Sequence, residues 1–376
     1  MRKFLIFFII FCLSCTTVEG KTVETIEAQS YVLLDGESGN VLLEKNSEEK
    51  LPPASITKIM TMLLTVEAID SKKISLEDVA TVSETAAQHE GSHVFLDVGE
   101  QITIHELLKA VAVASGNDAA NVLAEYVGGD LTGFVEMMNQ KARDLHMENT
   151  FFVNCNGLDA EGHYSTASDI AKMTYELTKH PLIFDYTTIW MDSLRNGSFQ
   201  LSNTNKLVRF YDGATGMKTG FTSKAGYCLS ATAERNGVKI IAVVMNSPTS
   251  TSRFGDASTL LNYGFDNYVC ENLCQKGEIL GEMLIKNGRK EKIAVVSVSN
   301  MKVIVPKGEK NKIEREISIP NNLEAPLAEN TIVGKITYKL NGRVVGECNV
   351  VPLEKVPEIT FDFTFSKLIS SFLSIS

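Results

Sequence analysis

One stretch constrains this chain more than any other: Pro52-Pro53-Ala54-Ser55-Ile56-Thr57-Lys58, which runs directly into Ile59-Met60-Thr61-Met62-Leu63-Leu64. A proline pair suits the position at or just before a helix start, and the apolar run behind it predicts a buried helix around which the rest must fold. If that helix begins near Ser55, then Ser55 and Lys58 lie three residues apart on one face of its first turn. The hydroxyl then sits at the positive end of the helix dipole, which favours negative charge developing there. The same field disfavours a protonated Lys58 and pushes the amine toward the neutral form that acts as a base. Serine with a neutralised lysine is a nucleophile–base pair.

At 376 residues the chain has room for a large and a small domain. Arg2 and Lys3 precede an apolar run from Phe4 to Leu13, and a polar stretch follows to Lys21. Residues 1–20 are therefore read as a secretory signal, too short to remain as a membrane span, and the protein is expected to be exported. The register at Leu13-Ser14-Cys15 is off by one from a lipoprotein cleavage pattern, so Cys15 is not read as acylated. Cys155, Cys228, Cys270, Cys274 and Cys348 then remain, too sparse and odd a set for a disulfide framework, and they read as unpaired thiols.

Residues 21–272 read as one α+β domain. Ser30–Leu34 and Asn40–Leu43 form a predicted hairpin, and Tyr227–Ala233 and Val238–Met245 form another about Asn236-Gly237. Helices are expected over Thr103–Ala114, from Ser115-Gly116-Asn117-Asp118 through Tyr126, and over Thr132–His146, Ser168–His180 and Ser252–Tyr268. Ser83–His93 suits a surface loop over a cleft, and Ser198–Val208 looks extended. Helices in the middle and strands at both ends predict an antiparallel sheet assembled from the two chain ends and carrying a helical cluster.

Residues 273–355 alternate short β-rich runs with turns such as Asn287-Gly288 and Asn341-Gly342, a small all-β domain read as a structural spacer. Within 356–376, Phe365, Leu368, Ile369 and Phe372 share one helical face and Ser366, Lys367, Ser370 and Ser371 the other. That segment either lies in a membrane surface or docks on the small domain. The net charge of −10 supplies nothing basic enough to neutralise phosphates, so nucleic acid is not an expected partner. His89 and His93 flank Gly91 and read as a polar loop rather than a zinc pair; no metal or other cofactor is expected.

Short motifs recur by chance. Ser47-Glu48-Glu49-Lys50 and Ser299-Asn300-Met301-Lys302 also satisfy S-x-x-K, and Ser38-Gly39-Asn40 also satisfies S-x-N. Context separates them: only Ser55 starts a long apolar helix, and only Ser115 sits at a helix junction with apolar flanks. Lys218-Thr219-Gly220, the sole K-T-G, is expected to precede a strand. Three motifs in this order, each in a suitable context, make a specific signal.

With these residues the chain resembles the D-alanyl-D-alanine carboxypeptidases, the low-molecular-mass penicillin-binding proteins of the serine S-x-x-K class. Asn156-Gly157-Leu158-Asp159 with Ser165-Thr166-Ala167-Ser168-Asp169, and Asp212 through Tyr227, extend the likeness, which covers residues 28 to 270 well. The resemblance implies a β-lactamase/transpeptidase-like domain. It also implies substrates that are peptidoglycan stem peptides ending in D-Ala-D-Ala, with β-lactams as covalent inhibitors. Ser55 would attack the carbonyl of the penultimate D-alanine, and Lys58 would take its proton. A base near neutrality needs a drop of about three units in the lysine pKa, with the helix end and Lys218 as expected sources. Ser115 would relay a proton to the leaving D-alanine, and Asn117 would hold the substrate's amide. Lys218 and Thr219 would grip the terminal carboxylate with help from Arg253, and Gly220 would let the substrate backbone lie close. The N–H groups of Ser55 and Phe221 would form the oxyanion hole. The family often has histidine where Phe221 stands, which leaves a backbone donor intact but bears on substrate preference.

Two rivals are weighed. A β-lactamase of the same superfamily needs a glutamate in a Glu-x-x-x-Asn setting, and Glu136, Glu148, Glu161 and Glu176 all fail that pattern. A non-catalytic β-lactam-binding envelope protein would tolerate degraded motifs, whereas all three are intact.

Overall fold

The computed structural model describes residues 25–88, 90–320 and 323–373. The signal segment, Cys15 and His89 lie outside the described residues.

A five-stranded antiparallel sheet organises the larger part of the chain. Its strands are β1 (Ser30–Asp35), β2 (Val41–Lys45), β3 (Ala214–Thr222), β4 (Gly226–Arg235) and β5 (Val238–Ser247), in spatial order β2-β1-β5-β4-β3. The two chain ends meet at its centre, where Ser30 faces Met245 and Asp35 faces Ile240. Asn236 and Gly237 turn β4 into β5 with φ of 51° and 77°, the left-handed pair a tight hairpin needs.

Strand alternation sends the two sets of side chains to two cores. Ile241, Val243 and Met245 pack among the helices, while Ile240, Ala242 and Val244 pack against Ala257, Leu260 and Leu261. The helical cluster comprises α1 (Lys58–Asp70), α2 (Ile104–Lys109), α3 (Asn117–Gly128), α4 (Leu131–Asp144) and α5 (Ala167–Thr178); α6 (Ser250–Asn267) covers the other face. Every residue of α1 from Lys58 to Val66 is buried, as a run without a polar face must be. Side-chain caps fix the starts of α2, α4, α5 and α6: Thr103, Asp130 and Thr166 each accept a backbone N–H, and Thr249 with Ser252 forms a reciprocal box.

Two expectations are corrected. Lys218-Thr219-Gly220 does not precede a strand but lies inside β3, because Lys218, Thr219 and Gly220 pair with Ser230, Leu229 and Cys228 of β4. Ser198–Val208 is extended only over Phe199–Ser202; Leu207–Phe210 is a helical turn whose first N–H is capped by Asn205 Oδ1 at 3.1 Å.

Beyond α6 the chain is β-rich. The strands are β6 (Tyr268–Cys274), β7 (Ile279–Lys286), β8 (Lys292–Ser297), β9 (Met301–Pro306), β10 (Ile313–Ser318), β11 (Gly334–Leu340) and β12 (Arg343–Pro352). β6 pairs with β9, and the others form a second sheet in the order β10-β11-β12-β8-β7, with Leu323–Glu324 on its edge. Asn287 and Asn341 turn with positive φ, and the five described cysteines are unpaired. The chain then enters α7 (Phe361–Leu373), whose Phe361, Phe365, Leu368 and Phe372 are exposed rather than docked. Among the described residues no helix is long and apolar enough to cross a membrane.

Candidate active site

The site begins at the turn Ala54–Thr57, a tight 3-10 turn that runs into α1. Ala54 adopts φ 47°, an unfavourable backbone held by the packing around it. Ser55 is half-buried, and its Oγ lies 2.9 Å from Lys58 Nζ. The same nitrogen lies 2.5 Å from Asn117 Oδ1 and 2.6 Å from the Asn156 carbonyl oxygen. Asn117 is oriented by its own amide, which donates to the Glu90 carbonyl at 2.6 Å.

Lys58 is fully buried, and burial lowers its pKa to about 7, against the opposing pull of Cys155 and Asp118. The source expected from sequence is therefore corrected. Removal from water does the work, and burial likewise pushes Lys218 well below the usual lysine range. A neutral amine has two N–H bonds and one lone pair. Asn117 Oδ1 and the Asn156 carbonyl can only accept, so they take the two hydrogens. The lone pair is left facing the Ser55 hydroxyl.

The second motif sits where α2 widens into the turn Ala110–Ala114 and stops. Ser115 closes that turn in the left-handed region, φ 64°, and α3 restarts at Asn117. Ser115 Oγ is buried and, among the described residues, has no hydrogen-bond partner. Asp118 accepts the N–H groups of Val94 at 3.0 Å and Leu96 at 3.1 Å, fastening the preceding loop to the start of α3.

The third motif lies on β3, the sheet's edge. Lys218 Nζ, fully buried, donates to the Thr219 carbonyl at 3.0 Å, and Thr219 Oγ1 donates to Thr204 Oγ1 at 2.7 Å. Gly220 also serves the fold. A Cβ there would lie 2.9 Å from the Pro53 carbonyl oxygen and 3.1 Å from Ile56, so the glycine lets β3 press against the Ser55 turn. Arg253, only 7% exposed, donates from Nη1 to the carbonyls of Gly220 at 3.1 Å and Cys228 at 3.3 Å. Phe221, half exposed, lays its ring on Tyr227 at 4.3 Å between centroids.

Two contributors escaped the sequence reading. Asn156 enters through its carbonyl: the sequence marked Asn156-Gly157-Leu158-Asp159 only as part of the likeness and assigned it no part at Lys58. His163 accepts the Val153 N–H at Nδ1 (3.0 Å), so its Nε2 carries the hydrogen and donates to Thr57 Oγ1 at 2.8 Å. Burial lowers its pKa to about 4, which keeps it neutral as a tie between the Ser55 turn and the 151–164 segment. Elsewhere, Glu67, Glu176 and His180 bring three ligand-type atoms within 4.8 Å of one another. The carboxylates already pair with Lys141 and Lys179, both at 2.7 Å, and the imidazole with Asp70 at 2.5 Å. They read as polar pairs at helix ends.

A serine at the mouth of a buried helix, a neutral lysine one turn on, a second serine between helices and a lysine on the sheet edge define a penicillin-binding-type active-serine enzyme. Family comparison agrees. The D-alanyl-D-alanine carboxypeptidase model matches residues 16–249, and the model for the C-terminal domain of penicillin-binding protein 5 matches residues 268–358. The chain belongs to the D-alanyl-D-alanine carboxypeptidase family. It is 40% identical over 345 residues to the D-alanyl-D-alanine carboxypeptidase DacF of Bacillus subtilis (strain 168), covering 91% of this chain and 88% of that one. Penicillin-binding protein 5 from Haemophilus influenzae superposes with a TM-score of 0.77 at 32% identity, over 90% of this chain and 100% of that one. Penicillin-binding protein D2 from Listeria monocytogenes, in its ampicillin-bound form, superposes with a TM-score of 0.59 at 31% identity, over 64% of this chain and 98% of that one.

Proposed function

We propose that this protein is a serine-type D-Ala-D-Ala carboxypeptidase that removes the terminal D-alanine from peptidoglycan stem peptides through an acyl-enzyme on Ser55. The observation that carries the reading is the triple hold on Lys58 Nζ, which leaves its lone pair facing Ser55 Oγ at 2.9 Å. Lys58 takes the hydroxyl proton as Ser55 Oγ attacks the carbonyl carbon between the two D-alanines. Negative charge on the carbonyl oxygen is met by the N–H groups of Ser55 and Phe221. Ser115 relays the proton taken up by Lys58 to the departing amine, the C–N bond breaks, and D-alanine leaves; water then attacks the ester, Lys58 taking its proton and returning it to Ser55 Oγ as the acyl–oxygen bond breaks. Lys218 and Thr219 bind the terminal carboxylate, while Arg253 backs that strand with positive charge. Asn117 serves chiefly by holding Lys58, since its amide is already given to Glu90.

D-Alanine release from a peptide ending in D-Ala-D-Ala tests this, with Ser55→Ala expected to lower the rate by about 10⁴-fold or more. Benzylpenicillin is expected to leave a persistent adduct on Ser55 by mass spectrometry, as the ampicillin-bound Listeria relative supports. No release by the wild type overturns the carboxypeptidase reading. Rapid return of unmodified protein with turnover of the antibiotic would favour a β-lactamase.

The proposal extends to location: an exported protein held peripherally on the outer face of the cytoplasmic membrane by α7. Phe361 and Phe372 are each about four-fifths exposed there, which suits insertion into a lipid surface. With Lys367 as the helix's one cation, apolar insertion supplies most of the hold. Deleting residues 357–376 is expected to move the protein from the membrane to the soluble fraction; unchanged membrane fractionation removes the anchor.

A further inference from the structure

Two thiols meet in the core of the small β domain, outside the Ser55 site. Cys274 ends β6 and Cys348 lies in β12, so they come from different sheets. Both are buried and share one apolar core. Ser297 Oγ lies between them, 3.4 Å from Cys274 Sγ and 3.1 Å from Cys348 Sγ. The two thiols also hydrogen-bond to each other, and each reaches the Ser299 carbonyl oxygen, at 3.7 and 3.9 Å. Ser299 belongs to the exposed turn between β8 and β9, and its hydroxyl lies 3.4 Å from Cys348 Sγ, which places that sulfur directly beneath the turn. A buried thiol ordinarily packs as a small apolar group among apolar neighbours. Here two are turned toward one another.

We propose that Cys274 and Cys348 are a reversible dithiol–disulfide pair, oxidised by exchange with a low-molecular-mass disulfide. Burial raises the pKa of both thiols, but at Cys348 hydrogen bonds with Ser297, Ser299 and Cys274 more than offset it and leave the pKa below its usual value. Cys348 is therefore the attacking sulfur. Its thiolate attacks one sulfur of the reagent, the reagent's S–S bond breaks, and one half leaves as a thiol with the Cys348 proton. Cys274 then attacks the Cys348 sulfur of the mixed disulfide, gives up its own proton, and expels the second half as a thiol. The protein loses two electrons and two protons, and the reagent gains them. The new bond ties the first strand after α6 to the second sheet and closes a long loop, which constrains the unfolded chain.

Oxidised glutathione, added to the folded full chain, is the probe. After an acid quench, alkylation in denaturant and digestion without reduction, mass spectrometry is expected to find the Cys274 and Cys348 peptides joined to each other. Cys155 and Cys228, buried in the catalytic domain, are expected to be alkylated. Dithiothreitol is expected to return Cys274 and Cys348 to alkylatable thiols. In Cys274→Ser the reaction is expected to stop with glutathione on Cys348. Oxidation is expected to raise the Tm of the wild type by about 5 °C or more and to leave that of Cys274→Ser unchanged. The peptide map needs only the wild type and takes no reading from D-alanine release. Cys274 and Cys348 both alkylated after the oxidant, cross-links to other cysteines instead, or a Tm rise that persists in Cys274→Ser overturns the pair.

Discussion

Acylation of Ser55 by benzylpenicillin is expected to rise with pH through neutrality, and Lys58→Arg is expected to abolish that rise together with about 10³-fold or more of the rate. Burial sets Lys58 at about 7 from an ordinary 10.5, so the protonated amine loses its advantage near neutral pH. That displacement corresponds to about 5 kcal/mol against the charged form. A base acts only when unprotonated, so the active fraction is roughly a tenth at pH 6, half at pH 7 and nine-tenths at pH 8. The observed rate should climb about fivefold from pH 6 to 7 and less than twofold from 7 to 8. Arginine supplies a long cationic side chain but no lone pair, since its guanidinium does not deprotonate in this range. General-base loss is worth about 10²–10⁴-fold, and misdirecting the hydrogens that Asn117 and Asn156 accept adds to it. Acylation that is flat from pH 6 to 8, or a Lys58→Arg protein within tenfold of wild type, would remove Lys58 as the base.

The three motifs were legible because each is a side-chain pattern anchored by local structure: an apolar helix behind Ser55, a helix junction at Ser115, a strand around Lys218. The fold was legible for a related reason. Near-continuous apolar runs about Asn236-Gly237 predict a hairpin buried on both faces, and α1 has no polar face to show to water. What the sequence hid is what depends on distant backbone. The Asn156 carbonyl reaches Lys58 across 98 positions of chain, and carbonyls carry no letter of their own. Gly220 and Arg253 were seen as groups for the substrate; their parts in the fold, Gly220 letting β3 approach the Ser55 turn and Arg253 tying the β3 and β4 carbonyls, stayed hidden. The source of the Lys58 shift was hidden likewise, because burial is a property of the assembled core.

Gly157 shows how strongly that backbone shapes the site, and Gly157→Ala is expected to lose about 10²-fold or more in Ser55 acylation. Its φ is +89°, where an L side chain is disfavoured by about 1–2 kcal/mol. A Cβ there would lie 1.9 Å from the Ala54 carbonyl oxygen and 2.9 Å from the Ser55 nitrogen. Neither atom belongs to a flexible side chain, so relief requires moving the Ser55 turn or the Asn156-Gly157 backbone. Either movement spoils the 2.6 Å hold on Lys58 Nζ, and misplacement of about 1 Å costs roughly 10²-fold in rate. Overpacking and strain together are expected to cost about 2–4 kcal/mol of stability, read as a fall in Tm. Gly99 provides the matched control: its φ is +81°, but a Cβ there would meet nothing within 4 Å. Gly99→Ala should therefore carry the dihedral cost alone, with acylation at the wild-type rate. Should Gly157→Ala acylate within threefold of wild type, or the two variants lose rate equally, the Gly157 backbone does not position the reacting pair.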